Sequence, residues 1–106
     1  MLRIPGRPDM AIEFVVDTGF AGYLTLPIAA VQALALPQVR EIAANRADNS
    51  TIVVNVHEST VLWHGAERVV EVLAMGKHSL LGMLLLDGSE MNIQFADGGL
   101  VSLEEL

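Results

Sequence analysis

The apolar segments of this chain are short, and nearly every one stops at a turn-forming residue, which limits the fold to small strands joined by tight connections. The run Ile12-Glu13-Phe14-Val15-Val16 ends at Asp17-Thr18-Gly19, and residues 12–17 read as a strand with apolar residues at nearly every position, a pattern that suggests burial on both faces. Leu24-Thr25-Leu26 reads as a short continuation. Pro27 then suits the first turn of a helix whose apolar stripe uses Ile28, Val31, Leu34 and Leu36, with Pro37 as the stop. Four alanines and a single polar residue, Gln32, predict that most of this helix is covered.

From Val39 onward the pattern is one of hairpins. Asp48-Asn49-Ser50 is a turn signal between residues 40–46 and the strand Thr51-Ile52-Val53-Val54-Asn55-Val56. Val61-Leu62-Trp63, a turn at His64-Gly65-Ala66, and residues 68–74 predict a second hairpin. Met91-Asn92-Ile93-Gln94-Phe95 alternates, Asp97-Gly98-Gly99 turns, and Leu100-Val101-Ser102-Leu103 returns. No repeat, linker or low-complexity segment interrupts the chain, so residues 1–106 read as a single mainly β, barrel-like domain.

At 106 residues such a domain buries roughly 65% of its unfolded surface, yet 52% of the residues are hydrophobic and 18% are charged. That is more apolar material than a monomer of this size hides, and a subunit interface is the simplest outlet. A membrane is excluded as the other outlet because no apolar stretch approaches the roughly 20 residues a spanning helix needs. The amino terminus carries positive charge without a following apolar segment, so it does not read as a secretory signal, and a cytoplasmic location is expected. A net charge of −7 argues against nucleic acid as a partner. The absence of cysteine removes disulfides and thiol chemistry.

Asp17-Thr18-Gly19 is the segment with chemical content. Taken alone, the tripeptide also describes an ordinary strand ending in a turn, where Asp bonds nearby backbone N–H groups. Two surroundings add to it: the continuation Phe20-Ala21-Gly22-Tyr23-Leu24-Thr25-Leu26-Pro27, and the distant segment Ser79-Leu80-Leu81-Gly82-Met83-Leu84-Leu85-Leu86. Both resemble the retropepsin-like group of aspartic proteases, in which a strand ending in two hydrophobic residues and Asp-Thr-Gly pairs with a later hydrophobic-hydrophobic-Gly that opens a short helix. The Asp-Thr-Gly-Phe string resembles a small single-domain prokaryotic subfamily in particular. The likeness extends over roughly residues 11 to 103.

The resemblance implies a retropepsin-like acid-protease barrel with one short helix after the catalytic turn and another near Gly82. It implies an aspartic endopeptidase acting on a peptide or protein substrate without cofactor or metal. Because each chain supplies one carboxyl group, it implies a homodimer with Asp17 catalytic in both copies. Thr18 and Gly19 would form the active-site turn and lock the dimer, Phe20 and Gly82 would support it, and the hairpin tip Ala47-Asp48-Asn49-Ser50 would be the flap. This chain differs from its relatives in having no glycine in that tip and a bulky Phe20 where the retroviral enzymes have a small residue. Sixteen residues precede Asp17, a short lead, so either the dimer interface is expected to be built differently or the start to lie further upstream.

The alternatives are a non-catalytic dimerisation or peptide-binding module on the same fold, and a plain β domain with an accidental turn. His57, His64 and His78 lack metal-ligand spacing. Ser59-Thr60 lacks the partners a serine nucleophile needs. Trp63 is expected in the core, and Glu104-Glu105 as a solvated tail.

Overall fold

A computed structural model describes residues 2–3, 8–45 and 48–106. The chain is mainly β, at 49% strand against 11% helix, in agreement with the turn-punctuated pattern. In chain order the elements are β1 (Leu2–Arg3), β2 (Val15–Val16), β3 (Leu24–Leu26), α1 (Ile28–Leu34), β4 (Gln38–Asn45), β5 (Thr51–Trp63), β6 (Ala66–Ala74), β7 (Leu80–Leu81), α2 (Met83–Leu86), β8 (Ser89–Ile93) and β9 (Val101–Glu105). Seven strands form one sheet in the order β1-β5-β6-β3-β7-β2, with β4 joined to β5, while β8 and β9 form a separate ribbon. Among the described residues no ladder joins β2 back to β1, so the pairings trace an open path rather than a closed barrel.

The core lies where β3, β6 and β7 meet α1 and α2. Leu24, Leu26, Val31, Val72 and Leu85 are each at most 2% exposed, and Leu34, Leu36, Val61, Val70, Ala74, Leu81 and Leu86 complete the cluster. All three residues of β3 are buried because it lies between two strands, parallel to β6 and antiparallel to β7. Val54 and Val56 are also buried but sit outside this cluster. Their ladder partners in β4 are Ile42 and Arg40.

Several expectations need correction. The regular strand before Asp17 is two residues long, and its faces are unequal: Ile12, Phe14 and Val16 pack against the core, whereas Val15 is 56% exposed. The helix after Pro27 has only two turns and lies against the core along Val31 and Leu34, leaving Ile28, Ala29, Gln32 and Ala33 exposed. It ends at Ala35 in the left-handed conformation (φ 51°), whose N–H reaches the Gln32 carbonyl at 3.1 Å before Pro37 is reached.

The second hairpin is not a separate unit. β5 continues for 13 residues through His57, Glu58, Ser59 and Thr60, each paired with β6. Its turn is the two residues His64-Gly65, both with positive φ (51° and 77°), and Ala66 already pairs with Trp63. Glu104 and Glu105 are exposed but lie in β9, opposite Glu90 and Ser89, rather than in a free tail. Trp63 is half-buried against the core, in line with its expected place. Among the described residues no helix is long and apolar enough to cross a membrane.

Candidate active site

Strands β2 and β3 are consecutive in the chain but not neighbours in the sheet, because β7 lies between them. The registers are parallel on one side, Val15↔Leu80 and Val16↔Leu81, and antiparallel on the other, Leu24↔Leu81 and Thr25↔Leu80. The loop from Asp17 to Tyr23 therefore arches over the end of β7. Backbone bonds tie the arch down: the Asp17 N–H donates to the Leu81 carbonyl at 2.9 Å, and the Val15 N–H to that of Ser79 at 2.8 Å.

On the far side of the arch, α2 is attached by its first residues. The N–H groups of Gly82, Met83 and Leu84 donate to the carbonyls of Tyr23, Phe20 and Gly22 at 2.8, 2.8 and 3.1 Å. The first N–H groups of a helix have no intrahelical partner, and here the loop after Asp17 supplies acceptors to two of them. Gly82 and the Asp17 loop, 65 residues apart in sequence, thus form one hydrogen-bonded unit.

Within the loop, Asp17 Oδ1 accepts the Gly19 N–H at 2.8 Å, and the Phe20 N–H donates to the Asp17 carbonyl at 3.1 Å. This fixes one oxygen of the carboxyl group; the other has no partner among the described residues. Asp17 is half-buried, while Thr18 and Gly19 are exposed. The local turn follows from sequence, since Asp bonds readily to an N–H two residues on.

Phe20 packs within its own loop. A Cβ built on Gly22 would fall 2.6 Å from the Phe20 ring, and one on Gly82 would fall 2.5 Å from it, so the ring occupies the space two missing side chains leave. A Cβ on Gly82 would also strike the Gly22 carbonyl oxygen and lie 2.8 Å from that of Phe20. Gly22 is a support that the sequence reading quoted without a role. Thr25 was missed as well. The residue is 3% exposed, and its hydroxyl accepts the Leu80 N–H at 3.1 Å and donates to the His78 carbonyl at 3.4 Å, bracing β7 against β3. The available signal was a hydroxyl between two leucines in a strand expected to be buried.

Beside the loop is a recess of about 370 Å³ whose walls include Thr18, Met83, Leu86, Met91, Leu103 and Leu106. Its surface is largely hydrocarbon, and Thr18 brings the Asp17 turn to its edge.

The other candidates lie elsewhere. Ala47 of the hairpin tip lies outside the described residues. Asp48 accepts bonds from the Ser50 hydroxyl (2.6 Å) and N–H (2.9 Å), and Asn49 takes positive φ (66°), so the tip is an ordered Asp-centred turn. Its hairpin reaches β3 through β5 and β6. The Ser50 hydroxyl, then its N–H, holds the Asp48 carboxyl below its ordinary range.

The histidines are dispersed, His57 bonding the Leu36 carbonyl at 2.8 Å and His64 the Ser89 hydroxyl at 2.7 Å. Among the described residues no three acidic or histidine side chains group as metal ligands would. Ser59 is buried, and its hydroxyl has no partner among the described residues.

Comparisons with protein families, with curated proteins and with solved structures found no match for this chain.

Proposed function

We propose that this chain is one half of a homodimeric aspartic endopeptidase with a retropepsin-like fold, hydrolysing peptide bonds with water activated between two copies of Asp17. The observation that supports this most is the interlock at the arch: β7 inserted between β2 and β3, Asp17 tied to Leu81, and Gly82 opening α2 against the Asp17 loop. That arrangement joins the two sequence segments that carry the resemblance, and it presents a carboxyl group with one oxygen fixed by Gly19.

Peptide hydrolysis by water needs a base and an acid. Two carboxyl groups about 3 Å apart retain one proton between them, because ionising both at that separation is costly. The ionised member takes a proton from the bound water as the water oxygen attacks the scissile carbonyl carbon. The protonated member gives its proton to the carbonyl oxygen, giving a tetrahedral diol with no covalent link to the enzyme and leaving the proton taken from water on the first carboxyl group. That carboxyl group then protonates the amine nitrogen as the C–N bond breaks, and a diol hydroxyl loses its proton to the other carboxylate as the new carboxyl product forms, so the dyad again holds one proton. Thr18, exposed beside Asp17, is assigned to cross-dimer contact, and the tip of the β4/β5 hairpin to covering the substrate.

The test is Asp17→Asn, which keeps the side-chain volume and removes the acid–base group. With a peptide library as substrate, the variant is expected to retain the wild-type circular dichroism and lose turnover by at least about a thousandfold. Equal cleavage by both proteins would refute the mechanism, and no cleavage by the wild type would favour a binding module on this fold.

A further inference from the structure

The turn of the β5/β6 hairpin reaches the first residue of β8. There His64 Nε2 lies 2.7 Å from Ser89 Oγ, across 25 positions of sequence. The imidazole also lies against Trp63, with ring centroids 5.0 Å apart at 55°, and Trp63 in turn packs against the core. In the tautomer protonated at Nδ1, Nε2 accepts the serine hydroxyl, and a hydroxyl bonded to a histidine base is the pairing that activates a serine nucleophile. Ser59, by contrast, is buried with no partner, and the exposed Ser102 bonds no histidine among the described residues.

A nucleophile also needs room for its substrate. Ser89 is half-buried and stands in the wall of the recess with Met83, Leu86, Met91 and Leu103. At about 370 Å³ this recess lies at the lower end of small-ligand sites, roughly 300–1,000 Å³, and its hydrocarbon lining matches an acyl chain. The backbone adds a donor. Because the Leu106 N–H bonds the Gly88 carbonyl at 3.0 Å, the next pair, Ser89↔Glu105, is a non-hydrogen-bonded one, and the Ser89 N–H points away from β9. No strand pairs with that edge of β8 among the described residues, which leaves this N–H to stabilise an oxyanion formed at Ser89. A Cβ on Gly88 would meet nothing within 4 Å, so the space beside Ser89 is open. Asp87 puts a carboxyl group in the wall and Glu105 lies opposite Ser89, on a chain of net charge −7, an environment that disfavours anionic substrates and helps an acid product leave.

We infer that Ser89 and His64 form a hydrolytic dyad for neutral carboxylic esters whose acyl chain lies in the recess. Ser89 Oγ bonds to the acyl carbon as its proton passes to His64 Nε2, and the Ser89 N–H holds the resulting oxyanion. The C–O bond to the alcohol then breaks, and the alcohol oxygen takes the proton from His64. Water attacks the acyl carbon in turn, giving a proton to Nε2; the acid departs as Ser89 Oγ recovers that proton. No third group bonds His64 Nδ1 among the described residues, so the pair is expected to act on esters rather than on amides, whose amine leaving groups depart less readily. The dyad belongs to one chain and rests neither on Asp17 nor on a second copy.

An octyl fluorophosphonate, which traps an activated serine by forming an O–P bond and expelling fluoride, tests this when peptide mass spectrometry locates the label. The wild type is expected to be labelled at Ser89 and not at Ser102, and to turn over p-nitrophenyl hexanoate repeatedly, an activity that Ser89→Ala loses. His64→Asn is the second variant, chosen because Asn accepts the positive φ of that position. It is expected to keep the wild-type circular dichroism and to slow labelling and turnover about a hundredfold, the scale of one general base. Equal rates in folded His64→Asn would overturn the dyad. So would a wild type unlabelled at Ser89, or labelled at Ser89 and Ser102 alike, and that mapping needs no variant, so it decides even if His64→Asn unfolds. None of these readouts involves peptide cleavage, so this site and the Asp17 site can each fail alone.

Discussion

The backbone N–H of Gly82 donates to the Tyr23 carbonyl at 2.8 Å, which brings the start of α2 against the loop that carries Asp17. The approach is that close because position 82 has no side chain. A Cβ there would meet backbone oxygens of Gly22 and Phe20 as well as the Phe20 ring, and backbone held by three hydrogen bonds has little room to give.

Gly82→Ala is therefore expected to lower stability by about 3 kcal/mol in urea unfolding, the cost of overpacking a site that cannot relax. Gly88→Ala is the control. Its φ of 81° is strained for alanine, but nothing lies within 4 Å of the new Cβ, so a loss of about 1 kcal/mol is expected. Equal losses at the two positions would show that the clash at Gly82 does not matter.

The tip of the β4/β5 hairpin should respond to acid. The Asp48 carboxyl is held below its ordinary value of 3.8, first by the Ser50 hydroxyl and then by the Ser50 N–H. A carboxyl group with a lowered folded pKa contributes stability above its unfolded pKa and loses that contribution as pH falls through the folded pKa. Ser50→Ala removes the hydroxyl donor. The wild type is thus expected to exceed Ser50→Ala in urea midpoint near about pH 6, with the gap closing once the pH falls below the unfolded value. A gap independent of pH would mean that the hydroxyl acts on the turn without acting on the carboxyl group. Asp48 is solvent-exposed, so the difference is small.

Activity and dimerisation should behave as one property. Each subunit carries a net charge of −7, so repulsion opposes association at low ionic strength and added salt screens it. Specific activity is expected to fall on dilution in step with the dimer fraction from sedimentation, and the dimer to tighten between low and physiological salt. Undiminished specific activity in a monomeric sample would contradict a shared site.

Local punctuation made much of this fold legible. Asp17-Thr18-Gly19, Asp48-Asn49-Ser50 and His64-Gly65 all mark turns, because each places a residue that bonds its own backbone or accepts positive φ where a strand must end. Pro27 marked the start of α1. What stayed hidden depends on pairing between distant segments. Polar His57-Glu58-Ser59-Thr60 looked like a break, yet a ladder needs only backbone partners, and β6 supplies them throughout.

Val15 and Ile28 also read as buried, from a strand apolar at nearly every position and from a helix stripe, but both are exposed in the single chain. Composition measures the apolar excess without saying which residues carry it. At the site, Asp17 and Gly82 were found from their flanking residues. Gly22 and Thr25 were not given roles, since the close approach at Gly22 and the bracing of β7 by Thr25 exist only once β7 enters between β2 and β3.

Under the proposed mechanism, two Asp17 carboxyl groups act on one water. A crystal structure of the wild-type dimer measures this directly. The two carboxyl groups are expected to face each other across the two-fold axis, with their nearest oxygens about 3 Å apart and a single water within hydrogen-bond reach of both. A dimer in which the two Asp17 side chains lie on separate surfaces, too far apart to share a water, would contradict it.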